Sequence, residues 1–417
     1  MPDQTSRLID VVVLGAGIVG ISTGLAARHR GLSAVVVDRR EPGSETSYGN
    51  AGILSSGSIF PLNQPSLFAN LPKYLTNRHP ALRWDIGWAL RNPGWIARFL
   101  ASAAEPHTRP RALALRGLIA TSLNLHRDWI VKAGAGERIR ETGWLKAWRS
   151  DNVAAAKADQ DALTDYGIKS ELLDRQAISA LEPNILPVYS VGLLHTETAS
   201  VDSPGNVVKA YARMLAGSGG EVRRAEIRSI APDGDGWRVV LSDGEVRARH
   251  VVVALGPWSA DLLRPLGYRV PLATERGYHR EFKPNPSRQL LRPIHDAENA
   301  FLMTPMEQGI RVTSGVELTA RDAPPNFAQI DAVEPLARGV VEFGEQVGET
   351  WRGARPTLPD SLPMIGPAPR HRNLWLAFGN QHIGFTTGPA TGEAIAAMIA
   401  GAPPPFDVAA FAPSRYI

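Results

Sequence analysis

Three stretches of this sequence hold residues whose types and spacing could do chemistry. The first is Gly15-Ala16-Gly17-Ile18-Val19-Gly20. Between a strand and a helix, this spacing cradles a pyrophosphate. Gly15 permits a tight turn, Gly17 lets backbone approach the phosphates, and Gly20 lets helix and strand pack closely. The anion then meets free amides and the positive end of the helix dipole. Asp38 is placed to accept from ribose hydroxyls, and its charge disfavours the 2′-phosphate of NADP. The motif alone does not separate FAD from NAD. The second stretch, Glu45-Thr46-Ser47-Tyr48-Gly49-Asn50-Ala51-Gly52, is small and polar enough to hydrogen-bond the edge of a flat ring. The third, from Phe378 to Gly388, is a glycine-rich turn leading into a helix. A helix N-terminus there would stabilise the negative charge a flavin gains on reduction, by about 0.3–2 kcal/mol.

Positioning these stretches requires a parallel sheet. Asp10–Leu14 and Ser33–Val37 read as buried β-branched strands, with an amphipathic helix to about His29 between them. Residues 221–255 read as a strand and a β-meander, with tight turns at Asp235-Gly236 and Asp243-Gly244. Leu374–Phe378 is a last apolar strand, and the following helix is expected to start at Pro389 and end near Ala400. Residues 56–194 look mostly helical, with Asn92-Pro93 separating two helices. Residues 268–318 alternate as antiparallel strands, with a hairpin at Gln308-Gly309. The expected fold is α/β plus α+β. A Rossmann-like domain is assembled from 6–55, 195–262 and 352–417, and a sheet-and-helix substrate domain comes from 56–194 and 263–351.

Composition narrows the chemistry. A chain of 417 residues exceeds one ordinary domain. The net charge of +4 comes from scattered bases, so no nucleic-acid tract is expected. With no cysteine, disulfides, iron–sulfur clusters, zinc–thiolate sites and cysteinyl flavin are excluded. No metal site is expected. The first strand begins too early to leave room for a signal peptide, and no apolar run is long enough to span a bilayer. The expected location is the cytoplasm, with the inner membrane face allowed. Trp84, Trp88, Trp95 and Phe99 recur at near-helical spacing among Arg83, Arg91 and Arg98. That spacing suits an interfacial helix, but core packing is the preferred reading.

Taken together, GAGIVG, ETSYGNAG, VVVALGPWS, ERGYH, RPTLPDSLPMIGP and GNQHIGFTTGPATG resemble the D-amino acid oxidase superfamily of FAD-dependent oxidoreductases. The D-amino acid and D-hydroxyproline dehydrogenase branch is the nearest match. The resemblance implies noncovalent FAD. It places the nucleotide against Gly15, Gly17, Ile18, Val19, Gly20, Asp38 and Arg39, with Val222, Gly256 and Trp258 nearby. The ring would meet Thr46, Ser47, Asn50, Ala51 and Gly52 on one side. Gly379, Ile383, Gly384, Phe385 and Thr386 would meet it on the other.

The same resemblance puts a substrate carboxylate on Arg355, whose planar fork of donors suits it. Tyr278 would add a hydrogen bond, and His382 would contact substrate or accept the amine proton. Arg352 is read as structural, and Glu197 and Asp202 receive no role. No general base stands out. Hydride passing from Cα of a neutral amine to flavin N5 would need none, and would give an imino acid. The D configuration and the cyclic imino acid substrates come from the resemblance alone. Rival readings are a glycine- or sarcosine-type amine oxidase, a flavin subunit of a larger electron-transfer complex, and a membrane-surface dehydrogenase. Whether oxygen or a quinone is the acceptor, and whether the chain forms homo- or hetero-oligomers, stays open.

Overall fold

A computed structural model describes residues 8–417, so the first positions of the segment beginning at residue 6 lie outside it. The hydrophobic runs Ile9–Leu14 and Ala34–Asp38 form adjacent parallel strands, with helix Ile18–His29 crossing between them. Both are buried on two faces, which is why they are continuous Val runs rather than alternating ones. Strand Gly244–Val253 pairs in parallel with Ile9–Leu14 on the other side, and Leu374–Phe378 pairs in parallel with Gly244–Val253. The expected meander is present in Ile227–Asp233, Gly236–Leu241 and Gly244–Val253. Its first turn takes positive φ at Gly234 rather than at Gly236. The resulting eight-stranded sheet draws its strands from 9–38, 221–253 and 364–378.

A ten-stranded sheet is built from 82–84, 144–195 and 273–357. Its central partners are Ala273–Pro284 and the long strand Phe343–Thr357. That second strand crosses the boundary drawn at 352. Residues 56–194 are less helical than expected, because Leu82–Trp84, Trp144–Trp148, Ser170–Asp174 and Val191–His195 are strands of this sheet. They are short, and their pairing partners stabilise them more than local propensity does. The hairpin at Gln308-Gly309 joins Phe301–Met306 to Gly309–Thr313.

Register sorts this sheet into two unlike faces. Tyr278, Val312, Met303, Ile294, Leu145 and Leu194 share one face and form an apolar cluster under helix Ala328–Arg338. The opposite face carries Arg355, Gly277, Thr313, Leu302, His295, Trp144 and His195, linked strand to strand by direct cross-strand pairing or next-but-one spacing. Trp88 and Trp95 are buried with Ala273, and Trp95 donates to the Pro271 carbonyl at 3.1 Å, so core packing accounts for these two rings.

Candidate active site: a cavity between two sheets

One cavity of about 760 Å³ runs from the glycine turn to the polar face of the large sheet. At the first end, Gly15 takes φ +111°, and a Cβ there would overlap the Ala254 carbonyl oxygen. Gly20 sits outside the lining, against the Gly15 carbonyl, where any Cβ would clash. Asp38 accepts from the Ala16 amide at 2.7 Å and the Arg40 amide at 2.9 Å. The Ser47 hydroxyl accepts from the Ile18 amide at 3.0 Å. The Gly17 and Val19 amides have no hydrogen-bond partner among the described residues. This end is therefore a set of open donors at a helix N-terminus, which fits a pyrophosphate. Arg39 stacks on Trp258 with 4.7 Å between guanidinium and ring, and both line the cavity with Gly256.

The loop 45–52 is held from outside itself. Thr46 donates to the Ala354 carbonyl at 3.0 Å. Arg311, buried and paired with Glu281, donates to the carbonyls of Tyr48 and Asn50. Asn50 accepts from the Gly52 amide at 2.8 Å and donates to the His382 carbonyl at 3.4 Å. Thr46, Ser47, Asn50 and Ala51 line the cavity. Gly52 does not; its φ of +73° serves a close approach to Val201.

Across the cavity lies the tail turn, with Gly379, His382, Ile383, Gly384, Phe385 and Thr386 in the lining. The final helix begins at Gly384, not at Pro389 as expected, and runs to Ile399. Pro389 has no amide to donate to Phe385 four residues back. His126 occupies that carbonyl instead, with Nε2 at 2.9 Å. Burial lowers the His126 pKa to about 4, and its other nitrogen meets the Tyr211 hydroxyl at 3.0 Å. A proline inside the helix is thus repaired by a distant histidine, and sequence reasoning mistook it for a helix start.

Arg355 enters the cavity from the polar face of the sheet. Its guanidinium lies over Gly277, where a Cβ would overlap it. It makes no hydrogen bond and no ion pair among the described residues, so its planar fork is open to the cavity. His382 also opens into the cavity, and its enclosure there, with Arg355 nearby, lowers its pKa to about 4. Its ring is neutral at physiological pH.

Two further expected contacts are corrected. Tyr278 is fully buried on the apolar face, with its hydroxyl 2.6 Å from Glu317 Oε2. Arg276 Nη2 and the Asn326 amide donate to that hydroxyl at 2.9 and 3.1 Å. Alternation along the strand turns Tyr278 away whenever Gly277 faces the cavity. Val222 packs on the core cluster beside Val36, and Glu226, Ile227 and Arg228 line the cavity in its place. Arg352 is exposed and donates to the Ala323 carbonyl at 3.0 Å, while Asp202 pairs with Arg138 at 3.0 Å. Sequence reasoning missed Trp144, His295, Phe301, Leu302 and Ser314, which close the cavity opposite the tail turn. The alternating Trp144-Leu145-Lys146-Ala147-Trp148 carried the one usable signal, that of a strand.

An elongated cavity with phosphate-type donors at one end and an open arginine at the other defines an enzyme that uses a dinucleotide cofactor. The FAD dependent oxidoreductase (DAO) family model matches residues 10–398, and the chain belongs to that family. It is an FAD-dependent oxidoreductase. It is 30% identical to a D-amino-acid oxidase of Bradyrhizobium diazoefficiens, over 98% of this chain and 99% of that protein. It is also 30% identical to a D-amino acid dehydrogenase of Granulibacter bethesdensis, over 97% and 99% of the two chains. The fold matches glycine oxidase from Geobacillus kaustophilus with a TM-score of 0.75 at 21% identity, covering 99% of this chain and 100% of that one.

Proposed function

We propose that this enzyme oxidises a small amino acid or cyclic imino acid of D configuration, with noncovalently bound FAD. The substrate's carboxylate docks on Arg355. The observation that carries the reading is a guanidinium in the cavity lining that makes no hydrogen bond or ion pair among the described residues, because an arginine inside a protein is otherwise paired. The names of the two curated relatives support the amino acid substrate and its configuration. FAD, when bound, supplies two-electron chemistry by accepting hydride from the substrate Cα.

The chain's own residues do the rest. Free Gly17 and Val19 amides hold the pyrophosphate, and Asp38 accepts from the ribose. The start of the helix Gly384–Ile399 presents its amides to the ring. Arg355 fixes the substrate's acid group and so the direction in which Cα points. His382, neutral, accepts a hydrogen bond from the amine. The discontinuous cofactor domain of 6–55, 195–262 and 352–417 with its inserted substrate domain is part of this proposal.

The test is anaerobic bleaching of the flavin absorbance by a panel of D-amino acids, D-proline analogues and N-methyl glycines. Bleaching by the first two groups is expected. Bleaching by N-methyl glycines alone assigns the glycine- or sarcosine-type reading instead.

A peripheral membrane contact is the second part of the proposal. Residues 60–104 hold five bases, Lys73, Arg78, Arg83, Arg91 and Arg98, against one acid, Asp85, which caps the Trp88 amide. Phe68, Leu75, Ile86 and Leu90 are exposed in the same stretch. No helix among the described residues is long and apolar enough to cross a membrane, so any attachment through a helix lies on the surface. Flotation with vesicles carrying anionic lipid, but not with neutral ones, is the expected result.

A further inference from the structure

The polar face of the large sheet holds a second ionisable group that the proposed reaction does not use. Glu275 pairs directly across from Arg355 in the antiparallel ladder. It is 2% exposed, and its Oε2 has no hydrogen-bond partner. Its next-but-one neighbour Ala273 and cross-strand partner Leu318 belong to the apolar patch of Trp88 and Trp95. Thr357 stands beside it on the strand that carries Arg355. Arg355 leans over Gly277 toward the cavity and forms no ion pair with Glu275. The carboxyl therefore balances the arginine's charge from behind without occupying its donors.

Burial pushes the Glu275 pKa up to about 7, while Arg355 and Thr357 pull it back. Such a group is easily tipped. A second carboxylate on Arg355 would leave two negative charges on one positive charge in a closed wall, and like-charge repulsion then favours the neutral acid. His382, in the cavity lining beside Arg355, and His279, stacked on Trp351 at 4.9 Å, have pKa values lowered chiefly by desolvation. Arg311 and Glu281 are already paired with each other, and Arg276 and Glu317 lie on the opposite face.

We propose that Glu275 is the resident counter-ion of Arg355. When a substrate carboxylate docks on that arginine, Glu275 takes up one solvent proton at Oε2, so anion binding and protonation are a single coupled step. This rests on Arg355 being the carboxylate site. Below the free-enzyme pKa, Glu275 is already protonated and affinity is flat with pH. Above it, each anion bound must bring a proton with it, and affinity falls.

The experiment uses the FAD-loaded enzyme and propionate, a carboxylate with no amine to oxidise. Titration calorimetry at about pH 8, in two buffers of unlike ionisation enthalpy, counts protons. Uptake near one per propionate is expected, with Kd rising up to about tenfold per pH unit above neutrality. Glu275→Gln should bind propionate with no uptake and a flat pH profile, while His382→Asn should keep the uptake. Zero uptake by the wild-type enzyme overturns the proposal whether or not Glu275→Gln folds. A wild-type profile in Glu275→Gln overturns it too. If Arg355→Leu loses propionate while Glu275→Gln keeps the wild-type profile, only the role of Glu275 falls. If Arg355→Leu binds propionate unchanged, the carboxylate reading falls and this proposal with it.

Discussion

The two ends of the cavity are made of different material. At the nucleotide end the functional groups are main-chain amides from one contiguous stretch, and the side chains of Asp38 and Ser47 bind that backbone into shape. At the substrate end the functional groups are side chains on one face of a sheet, contributed by strands more than two hundred residues apart in sequence, from Trp144 to Arg355. A site built of backbone tolerates varied side chains but no intruding Cβ. A site built of side chains tolerates backbone neighbours but depends on which way each residue points. The difference therefore predicts which substitutions hurt at each end, and how.

The sharpest break is Gly15→Val. It combines a backbone with φ +111° and an overlap with the Ala254 carbonyl, so the turn cannot form. The purified protein is expected nearly colourless, and stoichiometric flavin absorbance would contradict the backbone account. Next comes Arg355→Leu, which should keep its flavin and raise KM by tens- to thousands-fold. That range corresponds to losing a charge-assisted pair of about 2–4 kcal/mol. Steady-state kinetics with wild-type flavin content checks it, and an unchanged KM retires the assignment.

Acid should weaken the substrate end. Burial lowers the pKa of His195 to about 3 and of His295 to about 4, against an ordinary value of 6.5. The unfolded chain binds these protons more readily, so stability is complete above about pH 6.5 and declines as pH falls from there towards those lower values. The melting temperature of His295→Asn should show a shallower acid limb, and a slope equal to wild type would exclude this source. The smallest effect belongs to Tyr278→Phe. Stability should drop by about 1–3 kcal/mol as Glu317 and Arg276 lose a buried partner. Turnover and KM should stay within about threefold of wild type on the same ground, since the hydroxyl is remote from the cavity. A large loss in kcat/KM would place Tyr278 back in the site.

Legibility followed the same divide. The strands at 9–14 and 34–38, the helix between them and the meander could be read because hydrophobic runs and turn glycines act over a few residues. The tail turn was recognised, but its helix was started too late, because nothing near Pro389 announces that His126 will serve the Phe385 carbonyl. Arg355 and Tyr278 were both candidates, and only one enters the cavity. Trp144 and His295 went unnoticed, since a lone aromatic in a short strand has no chemistry until a cavity opens beside it.

What the sequence determined alone was the cofactor end, since one turn, one helix start and one acid are a local arrangement that contiguous chain can specify. Tertiary structure decided the rest. The face on which Glu275, Gly277 and Arg355 lie depends on pairing between residues about eighty positions apart, and a slip of one position would turn Arg355 onto the apolar face that holds Tyr278.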